Sequence, residues 1–111
     1  MPSKVKKLVL VTSKAHPLNK HFTKIARKLA EEFSTELEVR EEDYMYLIKY
    51  GDTDELGMAW VPQLLAELDS GEVIKVLTQP NLNSQGNVNE DRDLQVSLEN
   101  IRKALTRQDT A

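Results

Sequence analysis

The chain has 111 residues, of which 40% are hydrophobic and 30% charged, with a net charge of −3 and no cysteine. These values are typical of an ordinary folded domain and exclude a collagen-like or disordered chain. Without cysteine, this chain cannot perform thiol–disulfide exchange or bind a metal through thiolates. No apolar run approaches the roughly 20 residues that span a bilayer, and none is long enough for a signal peptide. We therefore expect a cytoplasmic protein with no membrane partner.

The charged residues are divided unevenly along the chain. Residues 1–30 contain eight Lys or Arg and no acid, whereas residues 31–111 contain seven Lys or Arg and all eighteen Asp and Glu. One interpretation is a basic face for an anionic partner such as nucleic acid. The other is that the two parts fold against each other and alternate their charges over the surface. The pI of about 5.4 favours the second interpretation, and we expect no nucleic-acid partner.

The first three predicted elements form a β-α-β unit. Residues 8–11 (Leu-Val-Leu-Val) are typical of a strand buried on both faces. Residues 12–17 form a turn, and its last residue, a proline, suits the first position of the following helix. Leu37 and Val39 alternate with charged residues, which predicts a second strand half exposed on one side. The helix between the strands has about four turns, ends at 34–35 and presents one apolar face: Leu18, Phe22, Ile25, Ala26, Leu29 and Phe33.

A short second helix is predicted after this unit. The acidic residues at 41–43 favour a helix start because they face its positive dipole end. The helix covers residues 44–50 and ends at Gly51, with Leu47 and Ile48 facing inward.

The remaining elements are a hairpin and a long helix. After a loop over 52–60, apolar runs at 63–68 and 73–77 flank a glycine-containing turn, which is a hairpin signal. Residues 79–90 form a polar loop. The last helix has one apolar face, formed by Leu94, Leu98, Ile101 and Leu105.

The chain is thus predicted to be one α/β domain over residues 1–111, in the order β-α-β-α-β-β-α. We expect a four-stranded mixed sheet with helices on both faces. Residues 108–111 are expected to be a frayed tail, and no internal repeat is evident.

This order resembles that of the thioredoxin-like superfamily, which includes thioredoxins, glutaredoxins and archaeal disulfide oxidoreductases. The segment 8–19 resembles the family's opening strand, which leads into a Cys-x-x-Cys motif at the helix start. Family members place helix core residues 6, 9, 10 and 13 positions after the first cysteine, and counting from His16 gives Phe22, Ile25, Ala26 and Leu29. The resemblance therefore places residues 16–19 (His-Pro-Leu-Asn) at the cysteine motif, with Pro17 resembling the glutaredoxin-type Cys-Pro-x-Cys. A register one residue earlier, Ala15 to Leu18, is the alternative.

Two further segments carry the resemblance. Residues 57–62 (Gly-Met-Ala-Trp-Val-Pro) resemble the family's Val-Pro step, which implies that Val61–Pro62 is cis, faces residues 16–19 and lies beside an extended substrate. Residues 69–73 (Asp-Ser-Gly-Glu-Val) resemble the family's Asn-Gly-Glu-Val hairpin. The chain departs from the family at both cysteine positions, in extra residues before the Val-Pro step and in a longer loop over 79–89.

The resemblance implies a redox-inactive domain that acts as an assembly module or binds a protein or an extended peptide. The expected groove contains Ser13, His16, Pro17, Asn19, Trp60, Val61 and Pro62. Trp60 is either an exposed anchor of this groove or a core residue. The helix start is either a capped terminus or a site for an anion.

Two alternatives stand beside this expectation. One is a cysteine-independent enzyme of the same fold that uses Ser13 or His16 on a glutathione-type or other small anionic ligand. The other is a structural subunit, for example a homodimer. His16 and His21 are five residues apart and do not share a helix face, and residues 41–43 lack the spacing of a calcium loop. We therefore expect no metal site and no cofactor.

Overall fold

The computed structural model describes residues 4–110, with side chains through residue 107. Its seven elements are β1 Val5–Thr12, α1 Asn19–Glu32, β2 Glu36–Glu41, α2 Tyr44–Tyr50, β3 Gln63–Leu68, β4 Val73–Leu77 and α3 Glu90–Thr110. The strands form one sheet in the order β2-β1-β3-β4. β1 is parallel to β2 and antiparallel to β3, and β3 is antiparallel to β4. The predicted α/β class with a four-stranded mixed sheet is confirmed.

Helices cover both faces of this sheet because β1 alternates its side chains between two apolar clusters. Leu8 and Leu10 belong to the larger cluster, which includes the apolar faces of α1 and α3. Val9 and Val11 belong to the smaller cluster, which α2 covers. All four side chains are completely buried. The strand is therefore buried on both faces, as its apolar run predicts.

Three local predictions need correction. α1 begins at Asn19, so Pro17 lies in the preceding turn and not at the first helical position. Val39 is largely exposed, because β2 is an edge strand of the sheet. Ile48, which was predicted to face inward, is exposed as well, and Tyr46 is buried beside Leu47 instead. Of the tail that was predicted to be frayed, residues 108–110 continue the α3 backbone, and their side chains and residue 111 lie outside the described part of the chain.

Tyr46 is buried because the sheet supplies one partner for its hydroxyl and another for the face of its ring. Its hydroxyl donates a 2.9 Å hydrogen bond to Glu67, and the Arg40 guanidinium lies 4.5 Å from the ring centroid. Burial, reinforced by Glu67, raises the pKa of the Tyr46 phenol. Asp43 caps the start of α2 by accepting a hydrogen bond from the Tyr46 backbone N–H, which follows the predicted acidic start.

Ion pairs join the basic and acidic parts of the chain. Lys7 lies 2.7 Å from Glu38, and Lys24 and Lys28 lie 3.0 Å and 2.6 Å from Glu90. These ion pairs agree with the interpretation in which the two parts of the chain fold against each other. Within the described residues, no helix has both the length and the hydrophobicity needed to cross a bilayer.

Glu90 is expected to make stability depend on pH in the acid range. Hydrogen bonds from Lys28, and next from Lys24, lower the pKa of Glu90 from 4.5 to about 2. A lowered folded-state pKa contributes stability that is present above 4.5 and is lost as the pH falls towards 2. Urea unfolding midpoints at pH 6 and pH 3 should therefore differ less in Glu90→Gln than in the wild type, and high salt should reduce the difference. Identical pH dependence in the two proteins would contradict this role of the Lys28–Glu90–Lys24 cluster.

Candidate functional site

Several chain segments meet at one end of the sheet. Val11 at the end of β1 pairs with Gln63 at the start of β3, and Leu64 pairs with Leu77 at the end of β4. α1 begins after β1 at this same end. The loop over 52–60 and the loop over 79–89 therefore both join the sheet where α1 starts. They are called the first and second hairpin loops, and both are distinct from the hairpin that β3 and β4 form.

A cleft of about 290 Å³ lies at this end. It is called here the Trp60 cleft, and its walls are formed by His16, Leu18, Phe22, Trp60, Val61, Pro62, Thr78, Gln79 and Pro80. The Val61–Pro62 peptide bond is cis, which is the state that the resemblance implies. His16 and Pro62 line the same cleft, so the two segments that the resemblance sets face to face do meet here.

Two successive turns shape the chain before α1. The His16 N–H donates to the Ser13 carbonyl, and the Asn19 N–H donates to the His16 carbonyl, each at 3.0 Å. The Leu18 N–H donates to His16 Nδ1 at 3.0 Å. Because Nδ1 accepts this hydrogen bond, it is unprotonated, and the proton of a neutral His16 ring is on Nε2. The imidazole thus fixes the turn that leads into the helix.

Only part of the predicted groove lines the cleft. His16, Trp60, Val61 and Pro62 do, whereas Ser13, Pro17 and Asn19 are not among its walls. Pro17 is exposed. Asn19 is turned towards the sheet, where its Oδ1 accepts a 2.8 Å hydrogen bond from the hydroxyl of the buried Thr12. The helix start therefore contributes its first turn to the cleft, and its polar side chains serve the local fold.

Trp60 is neither fully exposed nor part of the core. Its ring is half-buried and forms a wall of the cleft. The indole Nε1–H donates a 2.8 Å hydrogen bond to the Thr78 carbonyl at the end of β4. This bond joins the end of the first hairpin loop to the start of the second.

Gln63 holds the base of the first hairpin loop, a role that the sequence reading missed. Its side chain is completely buried. Its Oε1 accepts from the Asp52 N–H at 2.8 Å, and its Nε2 donates to the carbonyls of Asp52 and Trp60 at 3.0 Å and 2.8 Å. A Cβ on Gly51 would lie 2.6 Å from Gln63 Oε1, so a larger residue there would displace the Gln63 side chain. The sequence signal was a polar residue at the start of an otherwise apolar strand.

Asp93 holds the base of the second hairpin loop. Its carboxylate is completely buried and accepts from the Asn81 N–H and the Asn81 side-chain amide, each at 2.7 Å. A 2.5 Å hydrogen bond joins the other Asp93 oxygen to His21 Nε2 on α1. The His21 ring in turn contacts the edge of Phe22, a wall of the cleft. One buried carboxylate therefore connects α1, α3 and the second loop behind the cleft.

The two hairpin loops share one construction. Asp54 Oδ1 accepts hydrogen bonds from the backbone N–H groups two and four residues later, and Asn83 Oδ1 does the same. The third residue after each is a glycine with positive φ, +80° at Gly57 and +81° at Gly86. Both loops thus contain the same short pattern, Asp/Asn-x-x-Gly, which fixes their backbones.

The cleft combines a mostly apolar lining with a few polar groups. Among the described residues, no side-chain hydrogen bond connects Ser13 with His16, and no group of three His, Asp or Glu is placed to hold a metal ion. The walls supply aromatic and aliphatic surface together with the polar groups of His16, Thr78 and Gln79.

The fold and the site are known from their geometry alone. The strand order describes an α/β domain, and the shared walls of the Trp60 cleft describe a candidate binding site. Comparison of the chain with protein-family models, curated proteins and solved structures gives no match.

Proposed function

We propose that this chain is a redox-inactive domain of the thioredoxin-like type that binds an extended peptide or a segment of a protein partner in the Trp60 cleft. One observation carries the proposal. His16 and Leu18 from the turn before α1, the Val61–Pro62 segment and the only tryptophan line a single cleft. The order of elements and the parallel pairing of β1 with β2 agree with the thioredoxin-like type. No cysteine is present, so the function is binding and not redox exchange.

The size and walls of the cleft favour a peptide side chain over a large cofactor. Its volume of about 290 Å³ lies at the lower limit of small-molecule pockets, roughly 300 Å³. Most walls are apolar, so an apolar side chain would gain free energy by leaving water there. A half-buried tryptophan with its N–H already paired is a common anchor at such interfaces.

The enzyme alternative receives less support from the geometry. Ser13 does not line the cleft, and His16 Nδ1 accepts the Leu18 N–H, so that nitrogen is not free to act as a base. A base must reach the proton that it removes. We therefore retain binding as the function that the site supports best.

The proposal is tested by peptide-array binding with three proteins. We expect the wild type to bind a subset of linear peptides, and Trp60→Ala to bind them at least about tenfold more weakly, because an anchor residue contributes 1.4 kcal/mol or more. Met45→Ala, on the outer face of α2 where Met45 is 77% exposed, is the matched control and should bind like the wild type. Unchanged binding by a folded Trp60→Ala variant would refute the assignment of the cleft.

A further inference from the structure

The second hairpin loop is free of charge. Residues 78–89 contain no Lys, Arg, Asp or Glu, although 30% of the whole chain is charged. Among the walls of the Trp60 cleft, the only ionisable side chain is that of His16. A charged side chain entering this cleft would lose water without gaining an opposite charge, which is costly.

A second depression, lined by residues of the first hairpin loop, lies next to the cleft. This depression of about 530 Å³ shares Trp60 and Gln79 with the cleft. Leu56 lines it and is 87% exposed. Asp54 and Glu55 line this depression as well, so the uncharged surface is that of the Trp60 cleft and of the second hairpin loop.

Both hairpin loops present apolar side chains on a fixed backbone. Leu56 and Met58 in the first loop are exposed, and so are Leu82 and Val88 in the second. Asp54 and Asn83 hold the two backbones by matched hydrogen bonds, so the loops are ordered before any partner arrives. Ordered apolar side chains bind with a smaller loss of conformational entropy than those on unstructured loops.

We propose that the Trp60 cleft selects an uncharged, apolar centre in an extended segment of a partner protein, and that the two hairpin loops contact the flanks of this segment. This inference rests on the proposed function and adds the partner's chemistry. Leu56 and Leu82, one exposed leucine from each loop, contact apolar side chains of the partner. Gln79, which is exposed and lies where the cleft and the depression meet, pairs its carboxamide with a peptide group of the partner, because an amide both donates and accepts.

A displayed library of random linear peptides tests the inference. We expect the peptides enriched on the wild type to contain Asp, Glu, Lys and Arg at their central positions at least about threefold less often than the starting library. Enrichment should fall at least about fivefold on the double variant Leu56→Ser/Leu82→Ser. Met45→Ser, which removes an exposed apolar side chain from α2, is the matched control and should behave like the wild type.

The possible outcomes separate this inference from the proposed function. Charged residues at library frequency, or full enrichment on the double variant, would overturn the inference alone if enrichment still depends on Trp60. No enrichment over the bare support would overturn both. Two further results would overturn the inference: sedimentation of the wild type with phosphatidylcholine vesicles, or self-association without peptide, where the double variant loses that behaviour. A membrane or a second copy of the chain would then occupy the surface.

Discussion

Replacing Asp93 with alanine is expected to lower the free energy of unfolding by about 4 kcal/mol, the typical cost of breaking a buried hydrogen-bonded pair. The carboxylate is completely buried and holds His21 and both amide groups of Asn81. All three partners would be left near the core without an acceptor. Urea unfolding followed by circular dichroism measures the loss, and the emission of Trp60 should change because the wall formed by the second loop is no longer fixed.

Asp91→Ala is the matched control for this prediction. Asp91 is also an acid in the first turn of α3, so both variants remove the same favourable interaction with the helix dipole. Asp91 is exposed, and its loss should cost less than about 0.5 kcal/mol. Equal stability of the two variants would show that the contacts of the buried carboxylate do not support the fold.

Replacing Gln63 with alanine is expected to cost about 3 kcal/mol, or about 1 kcal/mol for each of three hydrogen bonds. The Asp52 N–H and the carbonyls of Asp52 and Trp60 would lose their buried partner. Because these groups form the base of the first hairpin loop, we also expect weaker peptide binding by the folded fraction. Urea unfolding and peptide binding measure the two effects separately.

Gln79→Ala is the control for stability, since Gln79 is exposed and its loss should change the unfolding free energy by less than about 0.5 kcal/mol. Gly51→Ala provides a second check. A Cβ there would displace the Gln63 side chain, so its cost should be smaller in the Gln63→Ala background. Additive costs would indicate that Gly51 is constrained by Leu47 and not by Gln63.

The sequence predicted most of the fold because the deciding signals are local. The apolar run at residues 8–11 and the spacing from Phe22 to Leu29 each describe an element buried by its own pattern. The short helix α2 was harder, since seven residues sample few turns. Tyr46 is buried there in place of Ile48 because Glu67 and Arg40, from two strands, provide partners for its ring and hydroxyl.

The site was predicted only in part, for a related reason. His16 and Trp60 to Pro62 could be placed by resemblance, and they do line one cleft. The buried residues that support this cleft could not be predicted from the sequence. His21 and Asp93 are 72 residues apart, and neither shows a local pattern that would pair them. Only the recurring Asp/Asn-x-x-Gly at Asp54 and Asn83 was visible in the sequence, because an Asx turn has a local spacing.

The buried polar side chains behind the cleft hold the two loops that border it. Gln63 and Asp93 each use a completely buried polar side chain to hold the base of one loop, and Trp60 joins the two loops through the Thr78 carbonyl. Such supports keep a binding surface close to its productive geometry before the partner arrives.

The central claim is that the Trp60 cleft binds an extended partner segment. Its most direct test is a map of amide chemical-shift changes in the wild-type protein as a library-selected peptide is added. We expect the largest changes at His16, Gln79 and the indole N–H of Trp60, whose hydrogen bond reports on both loops. Changes confined to α2 or to the outer edge of β4, with these signals unmoved, would contradict the account.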